Sequence, residues 1–214
     1  MLAMALAVAV GSLGVAEAAV RSSLRHQSRP RHIALAALTQ PPHLQPALPL
    51  GPEWEGIDID GDGAPDFANP TGGPPRGHDA YGYGYFHAVR DGGEREHEGV
   101  DYDSRPGQTV VAPISGYVAR IGYAYPGNLQ LRYVQIDNPA LKLEARVFYV
   151  RPDVRVGQSV ALGRPIGTAL SLQSRYPGIT NHVHLELDER GRHIDAQSVI
   201  LARGGDSSFM AAMN

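Results

Sequence analysis

Two short segments of this chain carry histidine and acidic side chains at spacings that suit a metal ion. His182 and His184 are separated by one residue, and His97 and Asp101, about eighty positions earlier, are separated by three. A catalytic zinc ion takes about three protein ligands, drawn from imidazole nitrogen and carboxylate oxygen, and leaves a further position for water. The two segments together supply that set and predict a metal centre.

The elements that must position these residues follow from side-chain alternation. On a β-strand, residues i and i+2 point to one face, so His182 and His184 would project together at roughly 6.5–7 Å. One of them could then bind the metal while the other addresses its water. Gly99 interrupts the segment from His97 to Asp101, which favours a turn over a helix. A His-x-His pair alone is more often surface chemistry than a ligand pair, so the prediction depends on both halves together.

Length and composition limit the function classes. The 214 residues, 43% of them hydrophobic, suffice for one well-cored domain with extensions. A net charge of -3 excludes nucleic-acid binding, which needs a concentrated basic surface. The 25 glycines and 17 prolines, with little helical periodicity, favour a turn-rich β protein.

The first 19 residues predict a secretory signal peptide. An apolar run rich in Ala, Val and Leu ends in Ala16-Glu17-Ala18, which has the small-x-small form of a cleavage site. A buried helix is the weaker alternative, because polar, proline-rich sequence follows. We therefore expect an exported protein, periplasmic or extracellular, with no stable membrane span after signal removal. The chain has no cysteine, so its stability must come from the core and from bound metal.

Residues 20–76 predict a linker or pro-segment, because they carry little periodic hydrophobicity. Within this segment, residues 58–69 form a candidate Ca²⁺ loop with carboxylates at relative positions one, three, five and nine and a glycine at position six. The alternative is an acidic turn whose Asp side chains cap their own backbone. The candidate calcium ligands are Asp58, Asp60, Asp62 and Asp66.

A domain is predicted over residues 77–203, followed by a C-terminal tail over 204–214. Short apolar runs between glycines and prolines predict strands at 109–112, 117–121, 129–136, 145–150, 159–162 and 183–187. Glu189 to Arg192 forms a plausible hairpin turn. Gly107-Gln108 and Gly157-Gln158 open two similar segments, which indicates a duplicated strand-turn unit in an antiparallel architecture.

Several of these segments together resemble the lysostaphin-type (LytM-like) zinc metallopeptidase family over about residues 77–200. The resemblance is carried by His97-x-Gly99-Val100-Asp101, Pro106-Gly107-x-x-Val110-x-Ala112-Pro113, Val156-Gly157-Gln158-x-Val160-x-x-Gly163-x-x-Ile166-Gly167 and His182-x-His184-x-Glu186. It implies a mostly β fold, an antiparallel sheet groove of the duplicated hybrid motif type, preceded by a largely irregular N-terminal segment.

The resemblance also implies a mechanism. Zn²⁺ would be held by His97, Asp101 and His184, and His182 would handle the water. The implied substrate is a peptide bond in the cross-bridges or stems of bacterial peptidoglycan. The chemistry is consistent, because zinc makes water acidic enough to attack at neutral pH and an imidazole can take the proton. Glu186 would share a face with both histidines, either as an outward strand residue or as a hydrogen-bond partner of a ligand.

One departure from the family pattern bears on activity. Active members usually carry a second catalytic histidine in a Tyr-x-His-Leu-like run, whereas this chain has Phe148-Tyr149-Val150-Arg151-Pro152. Arg151 cannot act as a base, since it stays protonated, but it could donate hydrogen bonds to the oxyanion of a tetrahedral intermediate. His87 is a candidate replacement for the missing imidazole, with a plain loop histidine as the alternative.

With this departure, the chain is similar to the vertebrate leukocyte cell-derived chemotaxin, a secreted relative that keeps the zinc ligands. We therefore keep three hypotheses: an exported zinc metalloendopeptidase of reduced activity, a zinc-binding module that binds the cell wall without cleaving it, and an activator of a partner wall hydrolase. Tyr81, Tyr83 and Tyr85 either line a substrate groove or cover the sheet. His193 is expected to be structural.

Overall fold

The computed structural model describes residues 53–203. The predicted signal peptide (1–19), residues 20–52 of the predicted linker and the predicted tail (204–214) lie outside the described residues. Strands are the main regular elements of the described part, joined by turns and loops, with one short α-helix, α1 (Ala196–Val199), and one 3₁₀ turn at Asp91–Gly93. In chain order the strands are β1 (Glu53–Gly56), β2 (Val89–Arg90), β3 (Arg95–Glu96), β4 (Val100–Asp103), β5 (Thr109–Val111), β6 (Gly116–Tyr123), β7 (Arg132–Asn138), β8 (Leu143–Phe148), β9 (Val150–Pro152), β10 (Ser159–Val160), β11 (Pro165–Ala169), β12 (His182–Glu189), β13 (Arg192–Ile194) and β14 (Ile200–Arg203).

The largest sheet has the strand order β10-β6-β7-β8-β12-β13, with β4 also paired to β12. A second sheet has the order β5-β11-β9, and all pairings in both sheets are antiparallel. The predicted mostly antiparallel β fold is therefore confirmed. Among the described residues, no helix has the length and apolarity that crossing a membrane requires.

The core lies between the two sheets. Val134 and Val147 of the large sheet belong to one buried cluster with Val110 and Ile166 of the small sheet. Each of these four side chains has no measurable exposure, so burial of apolar surface is the main force that stacks the sheets.

The duplicated turn predicted from sequence has the same construction in both copies. Gly107 and Gly157 both have positive φ, 84° and 85°, which glycine adopts without strain. After each glycine, the side-chain oxygen of Gln108 or Gln158 accepts a hydrogen bond from the backbone N–H three residues earlier. The two turns open β5 and β10, one in each sheet.

Most predicted strands are present with shifted ends. The predicted strand 129–136 begins only at Arg132, because the Asn128 side chain accepts hydrogen bonds from the N–H groups of Gln130 and Leu131 and holds a turn there. The predicted strand 145–150 is split at Tyr149, whose φ of 66° lies in the left-handed region. The chain consequently leaves the large sheet after β8 and enters the small sheet as β9.

Residues 53–76, which the sequence analysis placed in the linker, pack against the domain. Strand β1 pairs with β14, and Phe67 is buried in the main core. Pro75 forms a β-bridge with Tyr102, and the N–H of Arg76 donates to the carbonyl of Asp101 at 2.7 Å. The structure therefore differs from the predicted boundary at Gly77, because this proline-rich stretch buries individual side chains without forming a periodic pattern.

Candidate metal centre

Strand β12 presents the predicted His-x-His pair on the face opposite the core. It is paired with β8 along one edge and with β4 and then β13 along the other, so its residues from His182 to Leu187 are buried. Val183, Leu185 and Leu187 belong to the core cluster. By alternation, His182, His184 and Glu186 face a cleft of about 410 Å³ on the other side, and all three line it.

Three predicted ligands meet in this cleft. His97 Nε2 lies 2.9 Å from His184 Nδ1, and Asp101 Oδ1 lies 2.9 Å from His184 Nδ1 and 3.2 Å from His97 Nε2. Antiparallel pairing of β4 with β12 sets this arrangement, since Asp101 is directly opposite His184 in the register. Ligand atoms on a tetrahedral zinc ion are about 3.3 Å apart, given metal–ligand bonds of about 2.0–2.1 Å. The donor set and its spacing therefore fit zinc.

Hydrogen bonds to the backbone and to Glu186 orient the three imidazoles. His97 Nδ1 lies 2.8 Å from the carbonyl oxygen of Tyr85, which leaves Nε2 for the centre. His184 Nε2 lies 3.2 Å from Glu186 Oε1, which leaves Nδ1 for the centre. His182 Nδ1 lies 2.7 Å from the carbonyl oxygen of Thr180, so its Nε2 faces Asp101 Oδ1 at 3.5 Å. Such outer partners commonly fix the tautomer and orientation of a ligating histidine.

The charges of the centre favour an ionised Asp101. Burial opposes ionisation, but His182, His184 and His97 outweigh it and hold the pKa of Asp101 well below its usual range. Burial also lowers the pKa of His184, but its contacts with Asp101 and Glu186 prevail and raise it to about 9. For His182, burial prevails over the nearby Asp101 and lowers the pKa. His182 is therefore a neutral imidazole at pH 7, with Nε2 able to accept a proton.

Glu186 is a buried partner of the predicted ligand His184, as the second of its two interpretations expects. Arg146 Nη1 forms an ion pair with Glu186 Oε2 at 2.9 Å, and Arg146 Nη2 lies 3.2 Å from Asp188 Oδ2. Burial raises the pKa of Glu186, but the contact with His184 prevails and lowers it. His193, predicted to be structural, contacts Asp188 at 3.1 Å and does not line the cleft.

Arg76 is a cleft residue that the sequence analysis missed. Its Nε and Nη2 donate to Asp101 Oδ2 at 3.1 and 2.9 Å. Burial lowers the pKa of Arg76, but the ion pair with Asp101 prevails and raises it. No local pattern predicts this contact, because 25 residues separate Arg76 from Asp101 and Arg76 lies in the predicted linker.

The structure does not bring Arg151 to the cleft. Arg151 lies on β9 opposite Thr168 of β11, its side chain is exposed, and it does not line the cleft around His182. The neighbouring Val150 points into the core, so alternation directs Arg151 to the outer face. Tyr149 faces the cleft instead, with its ring centroid 5.5 Å from that of His182.

Tyr149 is one of several tyrosines that form an aromatic wall of the cleft. Its hydroxyl lies 2.6 Å from that of Tyr125, and burial raises the pKa of Tyr149 while the pKa of Tyr125 is raised to about 12. Tyr81 lines the cleft and packs edge-on against Tyr176 at 5.5 Å, whereas the exposed Tyr83 and Tyr85 pack against each other outside it.

His87 does not replace the missing imidazole. Its side chain is exposed, its Nδ1 lies 3.3 Å from Glu96 Oε2, and it is absent from the cleft lining. A φ of 62° at His87 turns the chain here, two residues before β2 begins at Val89. The plain loop interpretation agrees with this position.

The structure does not support the predicted calcium loop. The predicted ligands were Asp58, Asp60, Asp62 and Asp66. Asp58, Asp60 and Asp66 bring oxygens within 4.8 Å of one another, but they are largely exposed. The carboxylate of Asp58 accepts hydrogen bonds from the N–H groups of Gly61 and Gly63 at 2.6 and 2.8 Å. These oxygens cap their own turn, as the alternative interpretation expected.

The chain matches a protein-family model and is similar to several known proteins. A model described as peptidase family M23 matches residues 95–196, a range that contains the ligands and His182. The chain is 35% identical over 113 residues to leukocyte cell-derived chemotaxin-2 of Mus musculus, covering 50% of this chain and 69% of that protein. It is 36% identical over 124 residues to myeloid protein 1 of Gallus gallus, covering 57% of this chain and 37% of that protein.

The chain also resembles solved structures at low sequence identity. The antimicrobial peptidase lysostaphin from Staphylococcus simulans has 20% identity and a TM-score of 0.44, covering 57% of this chain and 51% of that chain. A chain of the SpoIIIAH and SpoIIQ complex has 21% identity and a TM-score of 0.42, covering 53% and 87%. With the matched family model and the chemotaxin relative together, this chain belongs to peptidase family M23.

Proposed function

We propose that this protein is an exported zinc metalloendopeptidase that hydrolyses peptide bonds in peptidoglycan. The observation that carries the proposal is the convergence of His97 Nε2, Asp101 Oδ1 and His184 Nδ1 within 2.9–3.2 Å of one another, beside a neutral His182 in the same cleft. Membership of family M23 supports the peptidase class. The choice of peptidoglycan comes from the resemblance to lysostaphin-type enzymes.

Each cleft residue has a role in this proposal. His97, Asp101 and His184 would hold the zinc, which supplies a Lewis acid for the scissile carbonyl and makes water more acidic. His182 Nε2 accepts the proton of the attacking water and returns it to the leaving amine. The hydrogen bond from Nδ1 to Thr180 keeps Nε2 unprotonated and aimed into the cleft.

Tyr149 is better placed than Arg151 to donate a hydrogen bond to a developing oxyanion, because it lines the cleft and Arg151 does not. Because burial raises the pKa of Tyr149, its phenol keeps its proton at neutral pH and can donate a hydrogen bond. Arg151 was predicted for this role from its place in the sequence, and that prediction is tested in the same experiment.

A zinc-binding module without hydrolytic activity is the second candidate function. Among the described residues, the cleft lining holds three imidazoles, His97, His182 and His184. The run in which active family members usually carry another catalytic histidine has Arg151 instead. Such a module would bind the wall or activate a partner hydrolase.

Digestion of purified cross-linked peptidoglycan by the full chain separates the two candidates. With one equivalent of zinc, the enzyme is expected to release soluble peptides with new amino termini, and His182→Ala is expected to lose about 10²–10⁴-fold in rate. Tyr149→Phe is expected to slow release by removing a donor, whereas Arg151→Ala is expected to leave it unchanged. Zinc binding without release by the parent, together with release by Tyr149→His or Arg151→His, would establish the non-hydrolytic module.

A further inference from the structure

Hydrogen bonds and one ion pair connect the proposed metal ligand Asp101 to the proposed base His182, through Arg76, Asp79 and the backbone of Thr180. We propose that Arg76 and Asp79 are positioning residues of the metal centre, which hold the Asp101 carboxylate and the His182 ring in register with each other. Both lie outside residues 95–196, the range matched by the family model. The inference rests on the proposed zinc centre.

The first part of this connection, from Arg76 to Asp101, fixes the Asp101 carboxylate. The Arg76 side chain is 3% exposed, and its Nε and Nη2 form a fork on Asp101 Oδ2 at 3.1 and 2.9 Å. Two donors of one planar guanidinium fix the position of the single oxygen that they share. With Oδ2 occupied, Oδ1 is the oxygen that remains for the centre, where it lies 2.9 Å from His184 Nδ1.

The second part of this connection runs from Arg76 through Asp79 to the proposed base, His182. The third nitrogen of the same guanidinium, Nη1, forms an ion pair with Asp79 Oδ2 at 2.8 Å. Asp79 Oδ2 also accepts a hydrogen bond from the Thr180 N–H at 3.0 Å, and the Thr180 carbonyl accepts the one from His182 Nδ1 at 2.7 Å. Thr180 lies in the loop that enters β12, so Asp79 anchors one side of the residue whose carbonyl, on the other side, orients the His182 ring.

The backbone sets the position of the guanidinium. Arg76 N donates to the Asp101 carbonyl at 2.7 Å, Asp101 N donates to the Gly84 carbonyl at 2.8 Å, and Gly84 N donates to the Arg76 carbonyl at 3.2 Å. A Cβ at Gly84 would stand 2.7 Å from Arg76 Cβ and 3.0 Å from Asp101 Cβ, so only glycine fits between the two side chains. The backbone around Arg76 and Gly84 is therefore held close to β4. Because this backbone is already fixed, the Arg76 side chain loses little conformational freedom when it binds Asp101.

Arg90 separates the effect of geometry from that of charge. Its Nη2 lies 3.8 Å from Asp101 Oδ2, but its hydrogen bonds go to the carbonyl oxygens of Tyr83 and Val89. Arg76 and Arg90 thus bring the same charge near Asp101 Oδ2, and of these two arginines only Arg76 forms hydrogen bonds with it. If charge alone mattered, removing either arginine would strengthen zinc binding, because less positive charge would oppose the cation.

Zinc affinity of the full chain, measured by competition with a chelator, tests the proposal. Arg76→Met and Asp79→Asn are expected to weaken zinc binding, by about 10–100-fold and about tenfold respectively, as loss of an outer partner of a ligand commonly does. Arg90→Met is expected to bind zinc as tightly as the parent or more tightly. Arg76→Lys keeps the charge without the fork and is expected to resemble Arg76→Met.

The visible absorption of the Co²⁺-substituted proteins provides a readout that general loss of stability would not change. Arg76→Met and Asp79→Asn are expected to alter the band positions, and Arg90→Met is expected to keep them. Circular dichroism establishes that each variant is folded, and if Arg76→Met does not fold, Asp79→Asn decides the test alone.

Three results would overturn the proposal. The first is parent-like affinity and Co²⁺ spectra in Arg76→Met and Asp79→Asn, and the second is the same in Asp79→Asn when Arg76→Met is unfolded. The third is an equal change in Arg76→Met and Arg90→Met, because the hydrogen bonds that only Arg76 makes to Asp101 would then have no separate effect. A parent that binds no zinc would instead refute the proposed metal centre itself, and this inference with it.

Discussion

Replacing Gly99 with alanine should move His97 and Asp101 away from His184, the third predicted ligand of the metal centre. Gly99 lies between His97 and Asp101 and faces β12 at close range. A Cβ at position 99 would stand 2.3 Å from the Leu185 carbonyl oxygen and 2.9 Å from the His184 ring. The nearest neighbour is backbone inside a paired strand, so no side chain can rotate to make room.

The magnitude follows from the size of this clash. Ordinary contacts of a Cβ begin at about 3.4 Å, so the segment leading into β4 would have to move from β12 by about 1 Å. Overpacking of a buried site costs about 1–3 kcal/mol, which corresponds to a fall in melting temperature of about 3–10 °C for a domain of this size. The same shift moves His97 and Asp101 away from His184, so zinc affinity should fall together with stability.

Urea unfolding and zinc competition on Gly99→Ala check this expectation. Gly77→Ala is the matched control, because a Cβ there meets nothing within 4 Å and the backbone of Gly77 lies outside the left-handed region. The control should differ from the parent by less than about 0.5 kcal/mol. If Gly99→Ala is as stable as Gly77→Ala and binds zinc with the parent's affinity, the close approach of the two strands does not assemble the centre.

The remaining predictions concern protonation and the core. Since the pKa of His184 is raised to about 9, this residue carries a proton at pH 7 that zinc must displace, so calorimetry in buffers of different ionisation enthalpy should detect release of about one proton from it. Zinc affinity should accordingly rise about tenfold per pH unit from pH 7 towards 9, and an affinity that is flat over this range would contradict the assignment. Leu185→Ala, at a fully buried position, should lower the free energy of unfolding by about 2–5 kcal/mol, whereas Leu201→Ala, at a position 40% exposed, should cost far less in the same urea titration.

The amino-acid sequence by itself determined which residues are candidates for the centre and which strand carries the His182–His184 pair. His182 and His184 share a face because a strand alternates with period two, and Val183 and Leu185 between and beside them face the core for the same reason. The repeated Gly-Gln turns were also visible, because a turn with positive φ leaves a glycine at a constant place.

Only the tertiary structure decided which residues support that centre. Arg76 reaches Asp101 because residues 53–76 fold back onto the sheet, a long-range contact that no local spacing encodes. Tyr149 faces the cleft, and Arg151 does not, because a left-handed φ at a non-glycine residue moves the chain from one sheet to the other. Periodicity reports which face a residue takes within a strand, but the partner across the cleft depends on how separate strands pack, and packing joins residues that are far apart in the chain.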